Sequence, residues 1–180
     1  MRGVNGGERP TNGDDLESLL SARRSANREV IDVDEESADF LIFSLGGERF
    51  AFKGRDIREI LPPTKVFPVP GCPRSLEGVV NVRGDIESVI EFDAMLGIGQ
   101  RERDPSRAIL IGEAGGVRSG IRVDKVIDVV SVPLSSIQAP HSAVPERLGP
   151  VATGIIPYLD GAATVLDLAK IFHDYAAGLG

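Results

Sequence analysis

The sequence predicts an all-β fold with a few short helices, arranged as two small β-barrels packed together. Three observations predict it. Short apolar runs alternate with polar residues at the two-residue period of a half-buried strand. Gly-Gly and Asp-Gly pairs fall between such runs, where hairpins turn. The same order of runs then occurs a second time at nearly constant spacing.

The body is preceded by a different kind of segment. Residues 1–39 hold ten acidic side chains and five basic ones, which is −5 of the chain's net −7, and no aromatic residue. Such a segment cannot bury enough apolar area to offset its ordering entropy, so a disordered acidic tail is expected, dispensable for folding. Leu16, Leu19 and Leu20 are its one hint of an amphipathic turn.

The folded body is expected over 40–180. Phe40 to Leu45 and Glu48 to Phe52 read as a hairpin turning at Gly46-Gly47. Asp56 to Leu61 is expected as about one helical turn, since Asp56 and Glu59 stand at capping-box spacing and Pro62-Pro63 ends it. Pro68 to Pro73 reads as an extended loop. Leu76 to Val82 and Ile86 to Phe92 form a second hairpin that turns near Arg83-Gly84-Asp85, and Asp93 is a candidate cap for a short helix ending at Gly97. Gly97 to Ser106 is a polar connector. Arg107 to Ile111 and Val117 to Val123 then flank Gly115-Gly116, and Val151 to Leu159 pairs with Ala162 to Leu166 across Asp160-Gly161. Leu168, Ile171, Phe172 and Tyr175 follow helical spacing behind Asp167.

Two offsets relate the halves. Gly46-Gly47 falls on Gly115-Gly116 (115 − 46 = 69), with Ile57, Ile60 and Leu61 on Val126, Val129 and Val130. Gly78-Val79-Val80 falls on Gly154-Ile155-Ile156 (154 − 78 = 76), with Ser88 to Phe92 on Thr164 to Leu168. Two subdomains are therefore expected, at about 40–97 and 107–173. Sheets that small close into barrels to remove their edges.

Several chemistries are missing. Twenty basic against 27 acidic residues give no basic face for nucleic acid or anionic lipid. No apolar run approaches the ~20 residues of a membrane span, so direct membrane insertion is not expected. One cysteine and no leader-like segment make a cytoplasmic location the default. Cys72, His141 and His173 lie far apart and match no metal-ligand spacing; metal and cofactor sites are not expected. Cys72 sits in a proline loop without oxyanion partners, and Gly112 to Gly116 lacks the Lys-Ser/Thr of a phosphate loop. No enzyme is expected.

Leu76 to Gly97, whose core reads Gly-Val-Val-Asn-Val-Arg-Gly, resembles the central motif of the CheW-like family of chemotaxis coupling proteins. Gly78, Asn81, Arg83 and Gly84 match that motif directly, whereas Ser88 stands at its usual proline. The opening hairpin, Val66 to Pro70, Val123 to Val129, the closing Gly154-Ile155-Ile156 strand and the Val165-Leu166-Asp167 helix start also fit, so the resemblance covers about 40–177. It implies SH3-like five-stranded barrels without catalytic residues. It implies a scaffold that binds the CheW-like regulatory domain of a chemotaxis histidine kinase and the cytoplasmic tip of a chemoreceptor coiled coil. Recruitment to membrane-bound receptor arrays follows from those partners. The receptor-binding residues it points to are Asn81, Val82, Arg83 and Gly84, with Ile86 added from hairpin geometry. An adaptor of a pilus-motility or second-messenger pathway, or a ligand-binding barrel enzyme, are the alternative readings.

Overall fold

The structure is a computed structural model that describes residues 35–73, 75–98, 106–140 and 144–178. Most of the expected tail, residues 1–34, lies outside the described residues; its last three, Ser37 to Asp39, already belong to a strand.

Among the described residues the chain forms ten strands and two short helices. The strands are β1 (Ser37–Leu45), β2 (Glu48–Lys53), β3 (Ile57–Leu61), β4 (Leu76–Val82), β5 (Asp85–Ile90), β6 (Ala108–Ala114), β7 (Val117–Val123), β8 (Lys125–Pro133), β9 (Ala152–Tyr158) and β10 (Gly161–Leu166). The helices are α1 (Phe92–Met95) and α2 (Leu168–Ala176). Asp167 caps α2, its carboxylate accepting the Lys170 N–H at 3.0 Å.

The strands make two five-stranded sheets, ordered β8-β1-β2-β10-β9 and β3-β6-β7-β5-β4. Under the repeat offsets these orders are the same. The halves 40–97 and 107–173 are not the spatial units, however. Each sheet takes its opening hairpin from one half and its other three strands from the other, joined on one side by an antiparallel ladder, β1 with β8 and β6 with β3, and on the other by a short parallel pairing, β2 with β10 and β7 with β5. The reason lies in the opening hairpins, which are apolar on both faces. Phe40, Ile42 and Ala51 fill one barrel, while Leu41, Phe43, Leu45, Phe50 and Phe52 face the other way. That second face needs a cover, and Ile90, Phe92, Leu110, Ile121, Leu168 and Phe172 supply it.

Each sheet is bridged across its ends. Past β3, Phe67 exchanges two backbone hydrogen bonds with Val79 of β4, at 2.8 and 2.9 Å. Past β8, Gln138 does the same with Ile155 of β9, at 2.9 and 2.8 Å. Beside each bridge stands a glycine. A Cβ on Gly78 would collide with the Phe67 carbonyl, and one on Gly154 would come 2.7 Å from Ile137 Cγ2.

Three local expectations are corrected. Asp56 to Leu61 is not a helical turn: a 3-10 turn over Gly54–Asp56 leads into β3, which pairs with β6. Asp93 does not cap α1; it lies inside the helix, buried, and binds Arg107. The β9–β10 turn is Leu159-Asp160, one residue before Asp160-Gly161.

Candidate functional site

The β4–β5 hairpin end carries the residues singled out by the sequence. Val82 pairs with Asp85, leaving Arg83 and Gly84 as a two-residue turn with φ of 55° and 104°. Positive φ at both positions matches the right-handed twist of the flanking strands. The Asn81 side chain holds this turn, its Oδ1 accepting the Gly84 N–H at 2.9 Å.

Arg83 is paired across the barrel end. Its Nη2 and Nε donate to Glu59 Oε1 of β3 at 3.0 and 3.3 Å. The Arg83 side chain remains 82% exposed, against 25% for Glu59. The guanidinium thus keeps N–H donors open to a partner while Glu59 fixes its direction. Ile86, opposite Asn81 in the ladder, is 66% exposed, and Ile60, next to Glu59, is 44% exposed. Val82 departs from the expected set: only 4% exposed, it packs inside the barrel with Val80 and Ile109, so its side chain does not reach the surface. The surface assembled here is an apolar flank beside a fixed Arg–Glu pair.

Sequence reasoning missed Glu59, because its spacing from Asp56 reads equally as a helix cap. It also missed the equivalent end of the other barrel. Leu159, at the Arg83 position of the repeat (159 − 83 = 76), has φ 51° and is 79% exposed. Val129, which stands at the Ile60 position, is 59% exposed. Asp128, at the Glu59 position, accepts the Tyr158 hydroxyl at 3.0 Å instead. Burial first, then that carboxylate, raises the Tyr158 phenol above its ordinary value of 10. One barrel end thus turns on an exposed arginine and the other on an exposed leucine, beside which Arg49 pairs with Asp160 at 3.2 Å.

Below these surfaces the charges are paired. Arg107 binds Asp93 through two hydrogen bonds, at 2.9 and 3.1 Å, and its Nε lies 2.9 Å from Asp124 Oδ1. Asp124 also accepts the N–H of Gly46 at 2.8 Å, tying the end of β7 to the β1–β2 turn. Among the described residues no three His, Cys, Asp or Glu side chains group as metal ligands, and no helix is long and apolar enough to cross a membrane. Cys72 and His173 are exposed.

The comparisons with known proteins agree in one direction. A family model described as the CheW-like domain matches residues 39–176. The chain is 25% identical over 134 residues to a chemotaxis protein CheW of Rhizobium meliloti, covering 74% of this chain and 86% of that one. It is 26% identical over 137 residues to a chemotaxis protein CheW of Thermotoga maritima, covering 76% and 88%. The crystal structure of scaffolding protein TtCheW from Thermoanaerobacter tengcongensis superposes with a TM-score of 0.67 at 28% identity, over 76% of this chain and 93% of that chain.

Proposed function

The chain belongs to the CheW-like family, and we propose that it works as a non-catalytic adaptor whose β4–β5 hairpin end binds the chemoreceptor. Proteins of this kind are scaffolds that couple receptors to a histidine kinase in chemotaxis signalling. The receptor partner is the cytoplasmic tip of a coiled coil, and the kinase partner is a regulatory domain that is itself CheW-like. Through the receptor the chain is recruited to membrane-bound arrays without entering the bilayer. Binding energy, not turnover, is what such a surface supplies.

The observation that carries the site is the Arg83–Glu59 pair flanked by exposed Ile60 and Ile86. Arginine held in place by a neighbouring carboxylate loses less freedom when a partner binds. Its open donors suit the carboxylates and free carbonyls that a helical hairpin tip presents. The flanking isoleucines give that tip an apolar seat.

Arg83→Ala tests the assignment. An exposed ion pair is worth at most ~1 kcal/mol, so the fold should survive with little change in melting temperature. At a binding centre the same truncation costs about 2 kcal/mol or more. Titrations against a receptor-tip fragment and against the kinase regulatory domain should show the first weakened about thirtyfold and the second nearly unchanged. A folded variant that binds receptor as well as the parent does would remove the hairpin end from the site.

A further inference from the structure

The duplication supplies an internal comparison that separates the two barrel interiors. In the barrel of β3 to β7, the ladder between β4 and β5 shifts between Leu76 and Gly78 and leaves Glu77 out as a bulge. The Glu77 side chain meets the Arg122 guanidinium, which donates to both carboxylate oxygens at 2.8 to 3.0 Å. Both side chains are 6% exposed, and Arg122 Nη1 also donates to the Arg107 carbonyl at 3.2 Å. An ion pair plugs this barrel.

The other barrel has the same bulge in the same place. Its ladder shifts between Val165 and Leu166, leaving Thr153 out. Thr153 is the repeat equivalent of Glu77 (153 − 77 = 76), and Lys53 that of Arg122 (122 − 53 = 69). The cation is retained and the carboxylate is replaced by a hydroxyl. Where the plug would be, a cavity of about 550 Å³ opens, lined by Lys53 and Thr153 with the apolar side chains of Leu134, Ile137 and Val165. Lys53 is half-buried and has no carboxylate partner among the described residues. The volume lies in the range of small-molecule sites, where an apolar wall carries a few convergent polar groups; here Lys53 is the cation that stands at the Arg122 position of the repeat.

We propose that this cavity binds a small monocarboxylate with an apolar body, its carboxylate taking the place beside Lys53 that Glu77 takes beside Arg122. Glu36 and Asp39 also border the cavity, as does Arg55, so the lining as a whole is neutral and a second negative charge on the ligand would be repelled. The site lies in the opposite sheet from the Arg83 hairpin and does not depend on that assignment.

The test is a titration of the full chain, followed by amide NMR, with sodium octanoate and with 1-octanol as the uncharged control. Octanoate should give saturable shifts at Thr153, Ile137 and Val165, and octanol should bind about tenfold more weakly or worse, the factor expected for one charge-assisted contact. Lys53→Met should weaken octanoate by a similar factor. Thr153→Glu supplies the carboxylate from within and should abolish binding in a folded protein. No saturable shift with octanoate, equal binding of octanol, or undiminished binding in Lys53→Met overturns the proposal. If Lys53→Met does not fold, Thr153→Glu decides: binding unchanged in that variant overturns the proposal equally.

Discussion

Glu77 and Arg122 are 45 residues apart and bury a full charge each, with 6% of either side chain exposed. Taking such a pair out of water is expensive, and the three short N–H···O contacts between them, with the Arg122 donation to the Arg107 carbonyl, offset it. Removing one partner is worse than removing both, because the remaining charge is stranded. Glu77→Gln should therefore cost about 3 kcal/mol in urea unfolding, whereas Arg83→Ala, at an exposed pair, should cost less than about 1 kcal/mol. A cost for Glu77→Gln as small as that for Arg83→Ala would mean that water reaches Arg122. At this scale the sequence was partly legible. Arg83 stood out by the motif around it, but its partner Glu59 did not, and neither did the Glu77–Arg122 pair. Periodicity reports which face a residue occupies; it does not report which distant residue shares that face.

The elements were more legible where local chemistry and tertiary pairing agree. Gly46-Gly47 and Gly115-Gly116 turn as expected, each glycine at positive φ. Asp56 to Leu61 failed because two local signals competed. Capping-box spacing favoured a helix, while Ile57 and Ile60 favour a strand, and the free edge of β6 decided for the strand. The β9–β10 turn slipped by one residue because Leu159 accepts φ 51°, a conformation costly for a side chain with a Cβ, which turn rules assign to glycine. Gly78 makes the opposite point, since its need comes from the bridging segment and not from a turn. With the Phe67 carbonyl lying where a Cβ would be, Gly78→Ala must push the Phe67–Val79 bridge apart. It should destabilise the protein by about 2 kcal/mol or more, read from the urea midpoint. Gly84→Ala, with open space around it, should cost less, limited to the strain of its φ of 104°. Equal costs for the two would show that the bridge yields freely.

At the scale of the whole molecule, the repeat in the sequence is real in the strand order of the sheets, yet the halves do not fold where they lie in the chain. The runs Phe40 to Leu45 and Ile109 to Ile111 carried the clue: they are apolar without alternation, which is how strands covered on both faces read. Each opening hairpin is therefore the inner wall of one barrel and part of the seam between the two, and it belongs to a sheet completed by the other half. A fragment of residues 36–98 would hold β1 and β2 without β8, β9 and β10, and β3 to β5 without β6 and β7. Neither hairpin set could bury its second face, and an isolated two-stranded hairpin is marginal in water. Fragments 36–98 and 106–178 should each give the circular dichroism of an unfolded chain and no cooperative melt. Mixed in equal amounts, they should assemble into a 1:1 complex with strand signal and a cooperative transition, because most of the apolar seam forms between the halves. Association removes chain connectivity, so the midpoint of that transition should rise with concentration, unlike that of the intact chain. Either fragment melting cooperatively on its own, as a monomer, would mean that a half-chain can close its own barrel and that the exchange of hairpins is not what holds the two together.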